Sequence, residues 1–323
     1  MTQLLQYTWG LLLLFLTLLF TNCERVVVTA PLEVDAEPNG VQFLESNQDL
    51  TTFKEVIQGT ALETAIEGQR PFTAFAPTDA AFNELLSSNA DWSTVEDIPN
   101  DVLNTILDYH FFDGSVLLRD TFTTYIATNA MTKFDERASL FVKSLGSVRL
   151  NGARAVALAD VRVSNGIFHL LDEVLIPPTV AELIQANPNL SSLSEALERP
   201  NFSTDFLALL AEDAVFTVFA PSDTAFLNLL NANDSWQSLD DVPTEILEKI
   251  LTFHVSTTDN LRTNDLTNSL EVATLLSGQS IEVGATGNVR ILSSGNNTAT
   301  LITGNAQGTN GVVHVIDGVL LPD

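Results

Sequence analysis

The sequence predicts an α+β fold built from two tandem copies of one domain. The segment FTAFAPTDAAF at 72–82 returns as FTVFAPSDTAF at 216–226, and 18 of 39 positions are identical when 72–110 is aligned with 216–254. Further on, NGIFHLLDEVLIP at 165–177 returns as NGVVHVIDGVLLP at 310–322. Ordered matches of this length indicate a duplicated domain rather than a short site used twice. A chain of 323 residues is long enough for two domains of ordinary size.

The repeat divides the chain into four segments. We expect a signal peptide at 1–22, an acidic tether at 23–40, a first domain at 41–178 and a second domain at 179–323. The tether is polar and contains Pro and Gly, so it can bury little apolar surface. The two domains follow each other without a long linker, and we therefore expect restricted motion between them.

Each copy begins with a strand followed by a helix. FTAFAP alternates in the manner of a strand, and Pro77 is expected to interrupt the ladder. Thr78 and its counterpart Ser222 each precede an aspartate, which predicts a capped helix with an acid in its first turn. A strand, a cap and a helix account for the repeated residues without a ligand.

The next block places a histidine on the apolar face of a helix. Leu103, Ile106, Leu107 and His110 are spaced three and four residues apart, as on one side of a helix. A histidine in such a stripe is expected in the core, with an internal hydrogen bond. The same reasoning applies to His254 in the second copy.

The closing block of each copy predicts two strands joined at an Asn-Gly pair, a strong turn signal. The return strands contain His169 and His314. All four histidines of the chain therefore belong to two repeated pairs. This pattern favours structural positions over a single catalytic centre.

Composition limits the functions that the chain can have. With 14 Lys and Arg against 41 Asp and Glu, the net charge is −27, which repels nucleic acids and anionic lipid headgroups. The single cysteine excludes a disulfide within the chain and a thiolate metal cluster. The signatures of zinc proteases, serine-nucleophile turns, phosphate loops and dinucleotide folds are absent from the sequence. We expect a protein that is not an enzyme and that has no cofactor and no metal site.

The amino-terminal segment is typical of an exported protein. LLLLFLTLLF at 11–20 fits the apolar core of a secretory signal, and Cys23 follows it almost directly. This arrangement resembles a bacterial lipoprotein signal, in which the cysteine is acylated and becomes the first residue. Asn22 stands where a small residue is usual, and Arg25 is the first basic residue. We expect lipid attachment at Cys23; simple secretion and a retained anchor helix are the alternatives.

The repeated blocks together resemble the fasciclin-type (FAS1) domain over residues 41–323. FTxFAPxDxAF resembles its first signature, Tyr109-His110 its tyrosine-histidine motif, and NGxxHxxDxVLxP its closing signature. The resemblance implies a twisted β-wedge with packed helices, an extracellular or surface-attached location, and adhesion without a cofactor. It also implies candidate partner-binding residues at Tyr109 and His110, and at Phe253 and His254, where Phe replaces Tyr. The helical position of His110 argues against direct contact with a partner.

These observations predict a non-catalytic adhesion or extracellular-matrix-binding protein. We expect it to be exported and held by its lipid at the cell surface or the periplasmic face of a membrane. Its partner would be an extracellular protein or polysaccharide, and not a nucleic acid. The alternative is a secreted, soluble carbohydrate- or protein-binding module.

Overall fold

The protein is described by a computed structural model over residues 37–120, 122–145, 148–153, 156–286, 289–293 and 297–322. Residues 37–323 belong to one compact unit. The elements of the first domain are α1 Gly40–Ser46, α2 Thr51–Val56, α3 Ala61–Glu67, β1 Phe72–Pro77, α4 Asp79–Ser88, α5 Asn100–Tyr109, β2 Phe111–Asp113, β3 Thr123–Met131, β4 Arg137–Lys143, β5 Arg149–Leu150, β6 Val156–Val163 and β7 Gly166–Leu171. The elements of the second are α6 Val180–Ala186, α7 Ser191–Leu197, α8 Phe206–Ala211, β8 Phe216–Pro221, α9 Asp223–Asn231, α10 Thr244–Phe253, β9 Val255–Ser256, β10 Leu270–Ala273, β11 Ser280–Thr286, β12 Val289–Ser293, β13 Thr298–Gly308 and β14 Gly311–Ile316.

The same four-stranded arrangement lies at the centre of both domains. Its strand order is β2-β1-β7-β6 in the first domain and β9-β8-β14-β13 in the second. The repeated FTxFAP strand pairs in parallel with the closing strand, with Phe72 opposite Gly166 and Phe216 opposite Gly311. Strands β3, β4 and β5 form a second sheet in the first domain, whereas β10, β11 and β12 continue the central sheet of the second domain through β13.

The central strand β1 is buried on both faces. Phe72, Ala74 and Ala76 join the apolar cluster beneath the helices. Phe75 points the other way and joins the cluster that contains Tyr109 and the residues of β4. The predicted alternation is therefore confirmed, and it separates two cores within the domain. In the second domain β8 divides its side chains between two clusters in the same manner.

Strand β1 includes Pro77, so the expectation that this proline interrupts the ladder is wrong. Pro77 stands opposite Leu171 in the parallel pair with β7. On the other side, β2 pairs only with residues 72–74, and the Phe75 N–H donates to the carbonyl of His110 at 2.8 Å. Since alternate residues of a strand point to the same side, the missing N–H of Pro77 faces the side where β2 has already ended.

The Asn-Gly turns join strands as predicted, and their asparagine side chains also hold helices. The Asn165 Nδ2 donates to the carbonyls of Ile66 and Gly68, and its Oδ1 accepts from the N–H of Gly40 at 2.9 Å. Asn310 makes the matching bonds to Val180, Leu210 and Glu212. Each turn thus ties the closing hairpin to the first helix of its domain.

The first domain begins before the predicted boundary at residue 41. Asn39 caps α1, Gly40 is buried, and the Pro38 carbonyl accepts from the N–H of Ser164 at 2.9 Å. The last residues of the predicted tether therefore belong to the folded domain. The predicted signal peptide at 1–22 and the tether up to residue 36 lie outside the described residues.

The predicted helix caps are confirmed, and the aspartates that follow them bridge two helices. Thr78 accepts from the N–H of Ala81 at the start of α4. The Asp79 Oδ1 accepts from the N–H of Thr52 at 2.7 Å, and thereby also satisfies a donor in the first turn of α2. Asp223 does the same for Ser192 in the second domain.

Candidate functional site

The tyrosine-histidine pair of the first domain is buried. Tyr109 is the last residue of α5, and His110 follows as its C-cap. Their exposed fractions are 0% and 1%. A partner could not touch either side chain without a rearrangement of the domain, so the proposed contact role stays a prediction.

His110 joins the end of its helix to the closing segment of the domain. Its Nδ1–H donates to the carbonyl of Ile106 at 2.7 Å, and its Nε2 accepts from the N–H of Leu175 at 2.9 Å. Burial lowers the pKa of this imidazole to about 4. The ring is therefore neutral at pH 7, and both nitrogens are engaged. The predicted core position is confirmed.

The second domain repeats this arrangement. The His254 Nδ1–H donates to the carbonyl of Ile250 at 2.7 Å, its Nε2 accepts from the N–H of Leu320 at 3.0 Å, and burial lowers its pKa to about 4. Phe253 takes the place of Tyr109 in an apolar cluster with Phe219 and Leu266. These side chains are buried as well, so they offer no open surface.

The other histidine pair also has structural partners. The His169 Nε2–H donates to the carbonyl of Val116 at 3.0 Å, and its Nδ1 accepts from the N–H of Asp160. His314 bonds Leu261 and Asn305 in the same way. Desolvation lowers the pKa of both imidazoles. None of the four histidines is thus placed as an exposed acid or base.

Cys23, the predicted lipid-attachment residue, lies outside the described residues. Among the residues that the structure does describe, no helix is both long enough and apolar enough to cross a membrane. Within the same residues, no group of three or more His, Cys, Asp or Glu side chains is placed to hold a metal ion. The expectations of no metal, no cofactor and no catalysis stay predictions.

Each domain has an open apolar groove between its two long helices and its carboxyl-terminal residues. In the first domain the groove encloses about 510 Å³ between α4, the loop that carries Trp92, α5 and the closing Ile176-Pro177. In the second domain it encloses about 440 Å³ between α9, the Trp236 loop, α10 and Leu321-Pro322.

The two grooves are built from equivalent residues. They share nine positions related by the internal repeat, at an offset of 144 through the helices and 145 at the carboxyl end. The pairs are Leu85/Leu229, Ser88/Ala232, Asn89/Asn233, Trp92/Trp236, Val102/Ile246, Thr105/Lys249, Ile106/Ile250, Ile176/Leu321 and Pro177/Pro322. The groove is therefore a feature of the repeated domain and not an accident of one copy.

The rims of the grooves expose large apolar side chains. Among the described residues nine such side chains are exposed, and four of them line the grooves. They are Val102 at 37%, Ile176 at 49%, Ile246 at 43% and Leu321 at 38% exposure. Apolar side chains gathered on an open surface mark interaction sites more often than single exposed ones do.

The tryptophan loop is held in place by hydrogen bonds at both ends. Asn89, the C-cap of α4, accepts from the N–H of Asp91 through its side chain and from the N–H of Trp92 through its carbonyl. The carboxylate of Asp97 accepts from the N–H groups of Ser93 and Thr94, which hold its pKa below the usual value. The second domain repeats this loop around Asn233 and Asp241. Trp92 and Trp236 are thus half-buried side chains on structured loops.

The loops beside the grooves are acidic. Residues 89–101 contain four acids and no Lys or Arg, and residues 233–245 contain the same numbers. Asp101 lines the first groove, whereas Lys249, on α10, lines the second. Each groove thus combines an apolar floor with a negatively charged neighbouring loop.

Sequence reasoning did not find the groove, although one signal was present. Val102 lies beside Leu103, which belongs to the predicted buried stripe, and Val102 itself falls outside that stripe. The second copy also has an apolar residue at this position, Ile246. An apolar residue off the buried face of a helix, repeated in both copies, could have indicated an exposed site.

The protein is thus an α+β protein of two domains, which share the same central four-stranded arrangement and the same groove. The family model of the fasciclin domain matches residues 48–177 and 188–322. The chain belongs to this family, and the predicted fold class of two tandem fasciclin-like domains is confirmed.

Comparison with known proteins agrees with this assignment. The chain is 28% identical over 272 residues to transforming growth factor-beta-induced protein ig-h3 of Oryctolagus cuniculus, over 81% of this chain and 36% of that protein. It is 30% identical over 155 residues to protein sll1483 of Synechocystis, over 48% of this chain and 82% of that protein. It thus spans about a third of the length of ig-h3 and most of the length of sll1483.

A solved structure shows the same fold. It is a FAS1 domain pair from the insect cell adhesion molecule Fasciclin I, with a TM-score of 0.51 and 21% sequence identity. The match covers 84% of this chain and 97% of that chain. At this identity the likeness concerns the fold alone.

Proposed function

We propose that the protein is a non-catalytic adhesion protein that binds an extracellular protein partner through its two grooves. The observation that carries this proposal is the duplicated groove, which keeps large apolar side chains exposed at equivalent positions of both domains. Membership of the fasciclin family supports it, because the family is known for adhesion proteins rather than enzymes.

The chemistry of the groove favours a protein partner over a polysaccharide. Six of the nine shared lining positions hold Leu, Val, Ile, Pro or Trp in both grooves, and only the pairs Asn89/Asn233 and Thr105/Lys249 are polar in both. The charged residues of the adjoining loops are all acids, within a chain whose net charge is −27, and Lys249 in the second groove is the basic residue among the lining side chains. A complementary partner presents a large apolar side chain next to Lys or Arg.

Two grooves on one chain also explain how weak contacts could suffice. An apolar groove of this size offers a modest affinity by itself. When two grooves engage a surface that repeats the ligand, the second binding event becomes intramolecular, which can raise the overall affinity about 10²–10⁴-fold. Adhesion through repeated domains has this physical basis.

We further propose that the protein is exported and held at the cell surface or the periplasmic face of a membrane by a lipid on Cys23. The support is the apolar run at 11–20 followed by Cys23. A secreted, soluble binding module is the second candidate, and it has the same grooves without the lipid. Intact-mass analysis of membrane and medium fractions separates the two candidates, with Cys23→Ala as the matched control. A diacyl or triacyl mass that disappears in the variant supports the tether, whereas a simple cut with no lipid favours secretion.

Tryptophan fluorescence offers a direct test of the grooves. The chain has three tryptophans: Trp9 lies in the predicted signal peptide, and Trp92 and Trp236 each line one groove. In the mature chain, or in a Trp9→Phe chain if the leader is retained, emission therefore reports on the grooves. We expect peptides that combine Phe or Leu with Lys or Arg to shift the emission and to protect it from acrylamide. The same peptides with Asp or Glu, and dextran or alginate, should not do so.

Exposed residues on the rims provide variants that leave the fold intact. Ile176→Ser should abolish the peptide response of Trp92, and Leu321→Ser that of Trp236. Leu158→Ser and Leu227→Ser are matched controls, since these side chains are 53% and 57% exposed and line neither groove. Beads coated with the double rim variant should lose attachment to cells of the source organism, and the double control should keep it. Unchanged attachment of the double rim variant, or protection of tryptophan by a polysaccharide, would refute the proposed partner chemistry.

A further inference from the structure

The Tyr109 hydroxyl lies in a chain of hydrogen bonds that leads out of its own domain. It donates to the carbonyl of Ser139 on β4 at 2.8 Å, and it accepts from the Nδ2 of Asn151 at 2.9 Å. Tyr109 and Ser139 are both buried. Burial raises the pKa of the phenol, so the hydroxyl stays protonated and remains a donor.

Ser139 also forms a hydrogen bond with the second domain. Its Oγ accepts from the N–H of Gln307 at 2.9 Å, and both residues are buried. Gln307 pairs with Val312 in the β13–β14 ladder, and its N–H points away from that ladder towards the first domain. The equivalent position in the first domain is Arg162, which is exposed. The backbone N–H of Gln307, a strand residue of the second domain, thus donates to an acceptor in the first domain.

Asn151, the other hydrogen-bond partner of the Tyr109 hydroxyl, also lies close to the contact between the two domains. The Asn151 Oδ1 accepts from the N–H of Phe141 at 3.0 Å, and the residue has a positive φ of 47°. Gly152 follows with a φ of +83°, and a Cβ on it would stand 3.1 Å from the Cα of Ala186 in α6. The turn that Tyr109 holds through Asn151 therefore lies against the first helix of the second domain.

Further contacts join the two domains around this point. The Tyr125 hydroxyl donates to the carbonyl of Leu183 at 3.1 Å and accepts from the Nδ2 of Asn187 at 3.0 Å. The Arg262 guanidinium lies 2.7 Å from the carboxylate of Glu136. Lys133 bonds Asp213. These polar contacts join the two domains directly, whereas Tyr109 acts through Ser139 and Asn151 of its own domain.

We propose that the Tyr109 hydroxyl is a positioning group that fixes the two domains against each other by holding Ser139 and the Asn151-Gly152 turn. Phe253, the equivalent residue of the second domain, has no hydroxyl and packs in an apolar cluster. The hydroxyl is therefore not required by the domain fold as such. This inference does not depend on the proposed groove function, because it concerns only contacts between the two domains.

The Gln307 amide provides a local measurement of the interface. We would compare amide hydrogen exchange, resolved by NMR, in the wild-type chain and in Tyr109→Phe. The substitution copies the residue that the second domain has at this position, so the aromatic packing is retained. Exchange at Gln307 should become roughly fivefold to tenfold faster, the factor that corresponds to one buried hydrogen bond of ordinary strength. Small-angle scattering should show a wider range of interdomain arrangements.

A control must weaken the first domain without touching the chain of hydrogen bonds. Thr73 is buried on β1, where its hydroxyl donates to the carbonyl of Gly114 and accepts from the N–H of Val116. Thr73→Val should lower the stability of the first domain and leave exchange at Gln307 unchanged. Tyr125→Phe removes a direct interface bond and should speed exchange at Gln307. If Tyr109→Phe leaves Gln307 exchange at the wild-type rate, or if Thr73→Val speeds it equally, the positioning role is wrong and Tyr109 serves only the packing of its own domain.

Discussion

Acidification should destabilise the second domain through two buried histidines. His254 and His314 are enclosed in the domain, and burial lowers the pKa of each from its ordinary value of 6.5 to about 4. In the unfolded chain both rings regain the ordinary value. Between these two values the unfolded state binds more protons than the folded state, so stability falls as the pH is lowered. The contribution is complete above pH 6.5 and is lost progressively as the pH falls towards 4.

The magnitude follows from the same pKa difference. Each pKa unit corresponds to about 1.4 kcal/mol, so a gap of about 2.5 units is worth about 3 kcal/mol per histidine when both states are protonated. At pH 5, which lies about 1.5 units below the unfolded pKa, each ring has lost about 2 kcal/mol of its contribution to the free energy of unfolding. The two histidines together should therefore remove about 4 kcal/mol from the free energy of unfolding between pH 7.5 and pH 5.

Trp236 allows this loss to be assigned to the second domain. Urea unfolding is followed by fluorescence in a Trp92→Phe chain that also lacks Trp9, at several pH values between 7.5 and 5. His254→Gln removes one titrating ring and should halve the histidine-linked loss to about 2 kcal/mol. Carboxylates titrate in both chains, so their contribution cancels in the difference between the two pH profiles. Parallel profiles for wild type and variant would refute the buried neutral histidine as the source of the acid sensitivity.

Two further predictions concern the Asn-Gly turns. Asn310→Ala should lower the free energy of unfolding of the second domain by about 2–4 kcal/mol, because Val180, Leu210 and Glu212 each lose a partner; an unchanged urea midpoint would contradict the anchoring role. Gly311→Ala should prevent folding of the second domain, since its Cβ would overlap with the backbone oxygen of Phe216 in the parallel partner strand. The control is Gly59→Ala, a position with a φ of +74° and open space around it, where the substitution should lower the free energy of unfolding by only about 1 kcal/mol. If Gly311→Ala and Gly59→Ala lose the same amount of folded signal in circular dichroism, steric contact at Gly311 is not the cause.

Local patterns in the sequence predicted the helix caps, the buried helical stripe and the Asn-Gly turns, whereas the β-wedge architecture was expected only from the resemblance to the fasciclin-type domain. The apolar spacing on α5 predicted a buried His110, and the residue is a C-cap with two internal hydrogen bonds. Thr78 and Ser222 were predicted as caps from their place before a helix, and both accept from the expected N–H groups. These features depend on residues close together in the chain, so periodicity and capping chemistry describe them fully.

Features that join distant segments were not predictable in the same way. Pro77 was expected to interrupt the ladder, and only the end of β2 explains why the strand continues through it. The groove joins Trp92 to Ile176, which lie far apart in the sequence, and hydrophobicity alone does not distinguish a core side chain from one on an open rim. Gln307 reads as an ordinary strand residue, because its acceptor lies in the other domain.

Comparison of the two domains distinguishes the proposed binding role of the grooves, which both domains have, from the proposed positioning role of the Tyr109 hydroxyl, which only the first domain has. Exposed apolar side chains cost solubility, so their presence at equivalent rim positions in both copies needs an explanation that packing does not supply. Tyr109 differs from its counterpart Phe253 by one hydroxyl, and the structure gives that hydroxyl partners that lead to the second domain. Loss of attachment in a Tyr109 variant would therefore not identify the residue as a contact, because a change in the angle between the two grooves would have the same effect on bivalent binding. The two explanations differ in one measurement: if Tyr109 positions the domains, Tyr109→Phe keeps the peptide response of Trp92 and weakens only attachment that requires both grooves. If Tyr109 is itself a contact, the response of Trp92 is lost as well.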